Sequence, residues 1–432
     1  MTVISLPYYH DRAFIYRGLA QLPGFVLLES SDNKRGDYDI LAAYPYEVIE
    51  SQPSDSALAH LKEKLKPQAY DTDLPFVGGA IGYVSYEWGA ELLGVETKPL
   101  TIPLMRLQFY DWAIISLHRS QTMVLVARHQ IAETAAQIDE IVGWALAQHP
   151  TLAQPPMLGQ GPTYGSMSFA EYEDAFNAIK QYLTLGRCYQ VNLTQRFHAP
   201  NSNDAWTMYE ALRIKNPVPY SAFMRLAGED AIISCSPERL LLHDNGILCT
   251  SPIKGTIKRS ADIDEDERLK QTLLSSEKDR AENVMIVDLL RNDLGKVAET
   301  GSVKVDKLCE LQSFSTVHHL VSYIQAKLKP NVHPFDAFLA AFPGGSITGA
   351  PKKEAMKVIA ELETTPRGIY CGSMVYFSSH GRMDSNIAIR TMLCQQGMLT
   401  LAAGGGIVMD SELLSEYEEC YLKIKAIVDG LQ

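Results

Sequence analysis

Apolar, strand-like runs come in close pairs along this chain, and that spacing most restricts what it can fold into. Trp112–Leu117 is soon followed by Thr122–Val126, Ala231–Cys235 by Leu240–His243, and Ile387–Cys394 by Leu399–Ala403. Runs joined by short turns read as antiparallel hairpins. Further strands are predicted at Gly24–Leu28, Gly246–Cys249, Tyr189–Phe197 and Tyr370–Phe377. Helices are predicted at Ile131–Gln148, Ser276–Leu294, Pro351–Glu361 and Ser411–Leu431. Strands clustered in this way, without strict helix alternation, point to an α+β design over a doubly wound parallel sheet.

One compositional break divides the chain. Pro150, Pro155, Pro156, Gly159, Gly161, Pro162 and Gly165 crowd into one stretch, which reads as a linker between regions 1–150 and 166–432. Just after it, Ser168 and Glu171 have capping-box spacing. Phe169, Tyr172, Phe176, Ile179 and Leu183 then step by three and four along one helical face, and Gly186 ends the helix. On the strand that follows, Tyr189, Val191 and Leu193 share one face, and Gln190, Asn192 and Thr194 the other.

With 432 residues, 46% of them hydrophobic, the chain can bury a large core as two domains or one big one. The net charge of −12 is spread without any block of Lys and Arg, which argues against nucleic acid or an anionic membrane as partner. The 7 cysteines are scattered singly with no C-x-x-C pair, so neither a disulfide framework nor a zinc site is expected. Reduced thiols, no signal-peptide pattern and no run of the ~18 apolar residues that spans a bilayer predict a cytoplasmic location.

Several residues invite a chemical reading. Lys254, in Ser251-Pro252-Ile253-Lys254-Gly255-Thr256, follows an apolar run, where an ammonium is costly unless paired or neutral; a plain surface lysine in a turn is the alternative. Glu282 shares a stripe with Met285, Ile286 and Leu289, so it needs a metal, another cation, or a buried salt bridge. Glu416, Glu418, Glu419 and Lys423 flank an amphipathic helix and read by periodicity as a solvated face. The run Gly344 to Lys352 leads into a helix with Pro351 suited to the first turn, a setting for anions. It is no P-loop, because no lysine follows its final glycine. Gly404, Gly405 and Gly406 could form an anion-binding nest or an ordinary tight turn. Arg390 could clamp a carboxylate or sit in a salt bridge.

Taken in order, certain runs closely resemble the chorismate-utilising enzymes, the family that includes anthranilate, isochorismate and salicylate synthases. They are Cys188-Tyr189-Gln190-Val191-Asn192-Leu193, Ser236-Pro237-Glu238-Arg239, Asp279-Arg280-Ala281-Glu282-Asn283, Arg291-Asn292-Asp293, His318-His319-Leu320-Val321-Ser322, the Gly344–Lys352 loop and Gly404–Val408. The resemblance covers essentially all of 166–432 and, more loosely, 1–150. It implies a sandwich of two antiparallel sheets flanked by helices, with the active site between them. It also implies magnesium held by Glu282 and Glu419, and chorismate held by Arg390, Lys423 and the amides of Gly404, Gly405 and Gly406, with Thr348 and His319 lining the pocket. Glu238 would be the general acid for the departing 4-hydroxyl, with its pKa raised towards neutrality.

Within the family, lysine at position 254 goes with the branch that makes 4-amino-4-deoxychorismate, a precursor of 4-aminobenzoate and folate; anthranilate synthases carry alanine there. Lys254 would then be a covalent nucleophile, and the scheme needs Lys254 and Glu238 held apart across the substrate. Gln190, where water-adding members carry lysine, argues against water addition. No Gly-x-Cys-x-Gly run with a downstream His-x-Glu occurs, so ammonia should come from a glutamine amidotransferase subunit or from solution. Glu29 and Ser30, with Asn216, Pro217, Tyr220 and Ser221, resemble a tryptophan pocket; plain core and turn is the alternative. Competing readings are an anthranilate synthase component, a non-catalytic tryptophan-binding or scaffold subunit, and a phosphotransferase that lacks its lysine.

Overall fold

Two of the three close strand pairs are hairpins, Trp112–Leu117 with Thr122–Ala127 and Thr391–Gln395 with Met398–Ile407, whereas Ala231–Ser236 and Arg239–Asp244 lie in different sheets, the chain crossing between them at Pro237 and Glu238. The structure is a computed structural model and describes all residues except 11, 33–35, 148–163, 315–316 and 432. A 12-stranded sheet runs in the order Thr2–Leu6, Thr122–Ala127, Trp112–Leu117, Tyr38–Ala42, Val26–Glu29, Tyr220–Arg225, Ala231–Ser236, Thr391–Gln395, Met398–Ile407, Gln190–Pro200 and Gly349–Ala350. The short strand Tyr164–Gly165 joins it beside Gln190–Pro200. A 10-stranded sheet runs Ile253–Lys258, Val317–Lys327, Ile247–Thr250, Arg239–Asp244, Met383–Asn386, Ser373–Ser378, Gly79–Val84, Met105–Tyr110 and Glu47–Glu50, with Lys304–Ser313 also on Val317–Lys327. The ladders are antiparallel.

Strand periodicity explains the layers. In Val26–Glu29, Val26 packs inward with Ile40, Ile81, Ile232 and Tyr376, side chains drawn from both sheets. Its neighbour Leu27 points to the other face, among Tyr16, Leu19, Trp206 and Tyr209 of the flanking helices. The expected sandwich is present. The linker, however, does not divide the molecule: both sheets draw strands from before residue 150 and after residue 166.

The capping box is realised. Ser168 Oγ accepts from the Glu171 amide at 3.3 Å while the Ser168 amide donates to Glu171 Oε2 at 2.8 Å, and Gly186 leaves the helix Phe169–Thr184 at φ 71°. The predicted 131–148 helix is Thr134–Leu146, and Gln148 lies outside the described residues, as does most of the linker. Two strands begin later than apolarity suggests, because Cys371 and Arg390 take left-handed backbone at φ 62° and 50°. Pro351 caps the helix Lys352–Leu362 from outside its first turn. Ahead of it the glycine loop forms a 3₁₀ turn, Gly345–Ile347, and the two-residue strand Gly349–Ala350. Among the described residues no helix is long and apolar enough to cross a membrane.

Candidate active site

A cavity of about 690 Å³ collects residues that are far apart in sequence. Glu238, Lys254, Glu282, His319, Arg390, Gly404, Gly405, Gly406, Glu419 and Lys423 all line it. Thr348 does not: it is fully buried behind the wall and its hydroxyl donates to Gly344 O at 2.9 Å. From the same loop, Ser346 and Ile347 face the cavity instead.

Lys254 is presented by a slip in its ladder. It pairs with Leu320, while Thr256 pairs with the adjacent His319, so two residues advance against one. Gly255 turns the chain at φ 83°, and a Cβ there would lie 3.0 Å from that of Asp279. The slip lets Lys254, Gly255 and Thr256 all reach the cavity. Lys254 makes no side-chain hydrogen bond or ion pair within 4 Å among the described residues. Beyond it, Thr256 Oγ1 and His319 Nδ1 lie 2.7 Å apart, which fixes the imidazole at the wall.

Glu238 is 5% exposed, and burial pushes its carboxyl up to about 7. The Lys254 charge, the Ser346 hydroxyl at 3.0 Å and the Ile253 amide pull the other way. The amide just before Lys254 therefore touches the acid, while the Lys254 ammonium, which lines the same cavity, makes no ion pair with Glu238 within 4 Å. This placement has a stability cost. A carboxyl whose folded pKa exceeds its unfolded value binds more protons when folded, so stability falls as pH rises between about 4.5 and 7. Glu238→Gln removes that titration. The variant should match the parent near pH 4.5 and be more stable by about 3 kcal/mol at pH 8. Equal differences in melting at both pH values would refute the buried acid.

The acidic end of the cavity comes from two helices. Glu277–Val297 supplies Glu282, and Leu413–Leu431 supplies Glu416, Glu419 and Lys423 at helical spacing. The predicted solvated face is thus partly the site: Glu416 is 7% exposed, whereas Glu418 faces out. Burial raises the carboxyls of Glu282 and Glu416, and Glu419 adds repulsion to both. Lys423 donates to Glu419 Oε1 at 2.7 Å and to Gly404 O at 2.8 Å.

No group of three or more His, Cys, Asp or Glu among the described residues closes a metal cage. The donors that do converge are all carboxylate oxygens in mutual repulsion. That set fits magnesium, which takes one or two carboxylates and completes its shell with water and substrate oxygens.

Gly404, Gly405 and Gly406 form neither a nest nor a turn. They lie within the strand Met398–Ile407, opposite Thr194, Leu193 and Asn192. Added Cβ atoms would meet Leu193 O at 2.2 Å, Glu416 Oε2 at 2.6 Å and Gln190 Nε2 at 2.7 Å. The glycines are spacers that let carboxylates and a buried glutamine approach the backbone. Arg390 opens on the cavity and forms no side-chain ion pair among the described residues, so the salt-bridge alternative falls. Ser346, Tyr370, Lys278 and Glu416 also line the site, and sequence reasoning gave none of them a role.

A second, small cavity of about 80 Å³ is lined by Glu29, Ser30, Tyr220 and Ser221 of the tryptophan-pocket reading. Asn216 and Pro217 are not in its wall; Asn216 instead ends the helix Ala205–Lys215. Glu29 is held by Arg213 Nε at 2.8 Å and by the Tyr209 hydroxyl at 2.7 Å.

Residues 24–429 match the family described as chorismate binding enzyme, and this chain belongs to it. Within that family, it is 40% identical to aminodeoxychorismate synthase component 1 of Salmonella typhimurium, covering 100% of this chain and 98% of that one. It is 36% identical to anthranilate synthase component 1 of Bacillus subtilis, over 93% of this chain and 86% of that one. Among solved structures, anthranilate synthase component I from Streptococcus pneumoniae superposes with a TM-score of 0.83 at 31% identity, covering 91% and 92% of the two chains. The anthranilate synthase component I fold is therefore the fold of this chain.

Proposed function

We propose that this chain converts chorismate and ammonia into 4-amino-4-deoxychorismate and water. One observation carries the reading: Lys254, with no side-chain partner among the described residues, lines the same cavity as a buried carboxyl pushed up to about 7. The full-length likeness to aminodeoxychorismate synthase component 1 supports it.

The presence of Lys254 and Glu238 in one cavity suits the chemistry. Lys254 would act as the neutral amine and Glu238 as the carboxylic acid, a pair that differs from ammonium and carboxylate by the net transfer of one proton. The amine attacks ring C2, both ring double bonds shift, and the C4–O bond breaks as Glu238 returns the proton to form water. Ammonia then adds at C4, the double bonds shift back, and the C2–N bond to Lys254 breaks; the proton lost by the new amine goes to the lysine. Arg390 and the third N–H of Lys423 would hold substrate carboxylates. Glu282 and Glu419 would hold magnesium, whose positive charge would neutralise the ring carboxylate. Gln190, buried against Gly406, offers no base to activate water.

Ammonia is read as the product of a separate glutaminase component, since these residues carry no glutaminase cysteine motif. Ammonium salts should support turnover by this chain alone, and glutamine should not until such a component is added. Glutamine consumption by the purified chain would contradict this. The small pocket around Ser30 and Ser221 is read as a tryptophan site, and unpaired cysteines suit a reducing cytoplasm. The deciding experiment supplies chorismate, magnesium and ammonium chloride, then adds the lyase that aromatises the product. 4-Aminobenzoate only after lyase addition supports the reading; fluorescent anthranilate without lyase overturns it.

A further inference from the structure

Behind the cavity lies an ion pair that the chemistry above does not use. Arg367 and Glu363 are each about 5% exposed and meet through paired bonds, Nε to Oε2 at 2.9 Å and Nη2 to Oε1 at 2.6 Å. Two further bonds leave the guanidinium: Nη1 donates to Ile347 O and Nη2 to Asn192 O, both at 2.8 Å. Its own backbone amide donates to Glu87 Oε1 at 2.6 Å. An arginine buried at this depth needs such full pairing, and only its planar fork can serve a carboxylate and two carbonyls together.

Strand topology shows what the pair replaces. The strand Gln190–Pro200 is paired on its outer edge at Gln190 and Val191 by one short strand, and at Phe197 and His198 by another. Between them, among the described residues, that edge has no neighbouring strand. There Glu363 Oε1 accepts the Thr194 amide at 2.9 Å, and Arg367 donates to Asn192 O. The ion pair fills the gap in the ladder, opposite the side where the strand meets Gly404–Gly406. From the same guanidinium, the bond to Ile347 O fixes the 3₁₀ turn whose Ser346 hydroxyl holds Glu238 at 3.0 Å.

We propose that Arg367 is a positioning residue for the general acid, acting through Ile347 and Ser346. The inference rests on the reading of Glu238 as the acid of the proposed reaction. Lysine at position 367 keeps a charge but cannot make the fork. With the full-length chain, chorismate, magnesium and ammonium chloride, Arg367→Lys should lower kcat by roughly 10- to 100-fold while KM for chorismate changes less than about threefold. Ser346→Ala should lower kcat by about tenfold. The decisive measurement is the double variant: if Arg367 works through Ser346, its kcat falls no further than the worse single variant.

Multiplying effects, or a loss carried by KM alone, would overturn the proposal. If Arg367→Lys does not fold, Glu363→Gln, which keeps an acceptor for the Thr194 amide, takes its place with the same expectation. Turnover is followed as chorismate consumed, so the coupling is read whichever amine forms. The product of the unaltered chain separately decides the reaction on which the proposal rests.

Discussion

Replacing Lys254 by alanine is expected to cut formation of 4-amino-4-deoxychorismate on the order of 10³-fold or more, with the fold intact. The fold should persist because the ammonium supports nothing: it makes no side-chain hydrogen bond and no ion pair among the described residues. Its removal takes away a charge that holds down the carboxyls of Glu238 and Glu282, so both should become harder to ionise. By the family resemblance alanine at this position goes with the anthranilate-forming members, so traces of a 2-amino product are expected. The rival account gives Lys254 only the task of supplying positive charge. Arginine would then restore much of the rate, yet a guanidinium stays protonated and cannot attack carbon. Near-normal turnover by Lys254→Arg would end the covalent mechanism. Trapping a chorismate-sized adduct on the wild-type chain, seen by mass and absent from both variants, would support it directly.

How far the sequence foretold this site depends on the range of the interactions involved. Local signals carried well: the Ser168–Glu171 box, the Gly186 stop and two of the three hairpins each depend on residues a few positions apart, while the third, at 231–243, fails because its two strands enter different sheets. Residues with unusual chemistry in an apolar context, Glu282 and Lys254, were also legible, although only the family resemblance turned them into roles. Long-range pairing was not legible. Composition marks the linker near residue 150, but nothing in it says that Gly79–Val84 pairs with Ser373–Ser378 across it. The glycine triplet misled for the same reason. Its meaning lies in what approaches it, the Glu416 carboxylate and the Gln190 amide, and both come from other elements. Periodicity likewise placed Glu416 on a wet helix face, because it cannot know that the cavity is what that face meets. In the glycine loop, the family resemblance implies Thr348 in the pocket, yet Ser346 is the hydroxyl that lines it. The 3₁₀ turn decides between them, sending one hydroxyl back to Gly344 and the other to Glu238.

Chelating divalent metal should abolish turnover, and Glu282→Gln or Glu419→Gln should each lower it by roughly 10²- to 10⁴-fold, the loss of several kcal/mol of charge stabilisation. Asp279, Glu282, Glu416 and Glu419 line the cavity with Lys254, Lys278 and Lys423, of which Lys254 is the charge that most opposes the rise at Glu282. Burial comes first in raising Glu282 and Glu416, and their acidic neighbours add to it. A site that crowds carboxylates in this way is poorly balanced until a cation enters, and chorismate brings further negative charge. Lysines alone do not settle it, since Lys423 is already shared between Glu419 and Gly404 O. Magnesium binding to the chain without substrate, followed by calorimetry, should weaken in both glutamine variants. Glu418→Gln, one position from Glu419 but facing solvent, should bind and turn over as the parent does. Full activity in chelator would remove the metal from this reaction, and equal losses from Glu418→Gln and Glu419→Gln would show that the helix carries charge without a defined site.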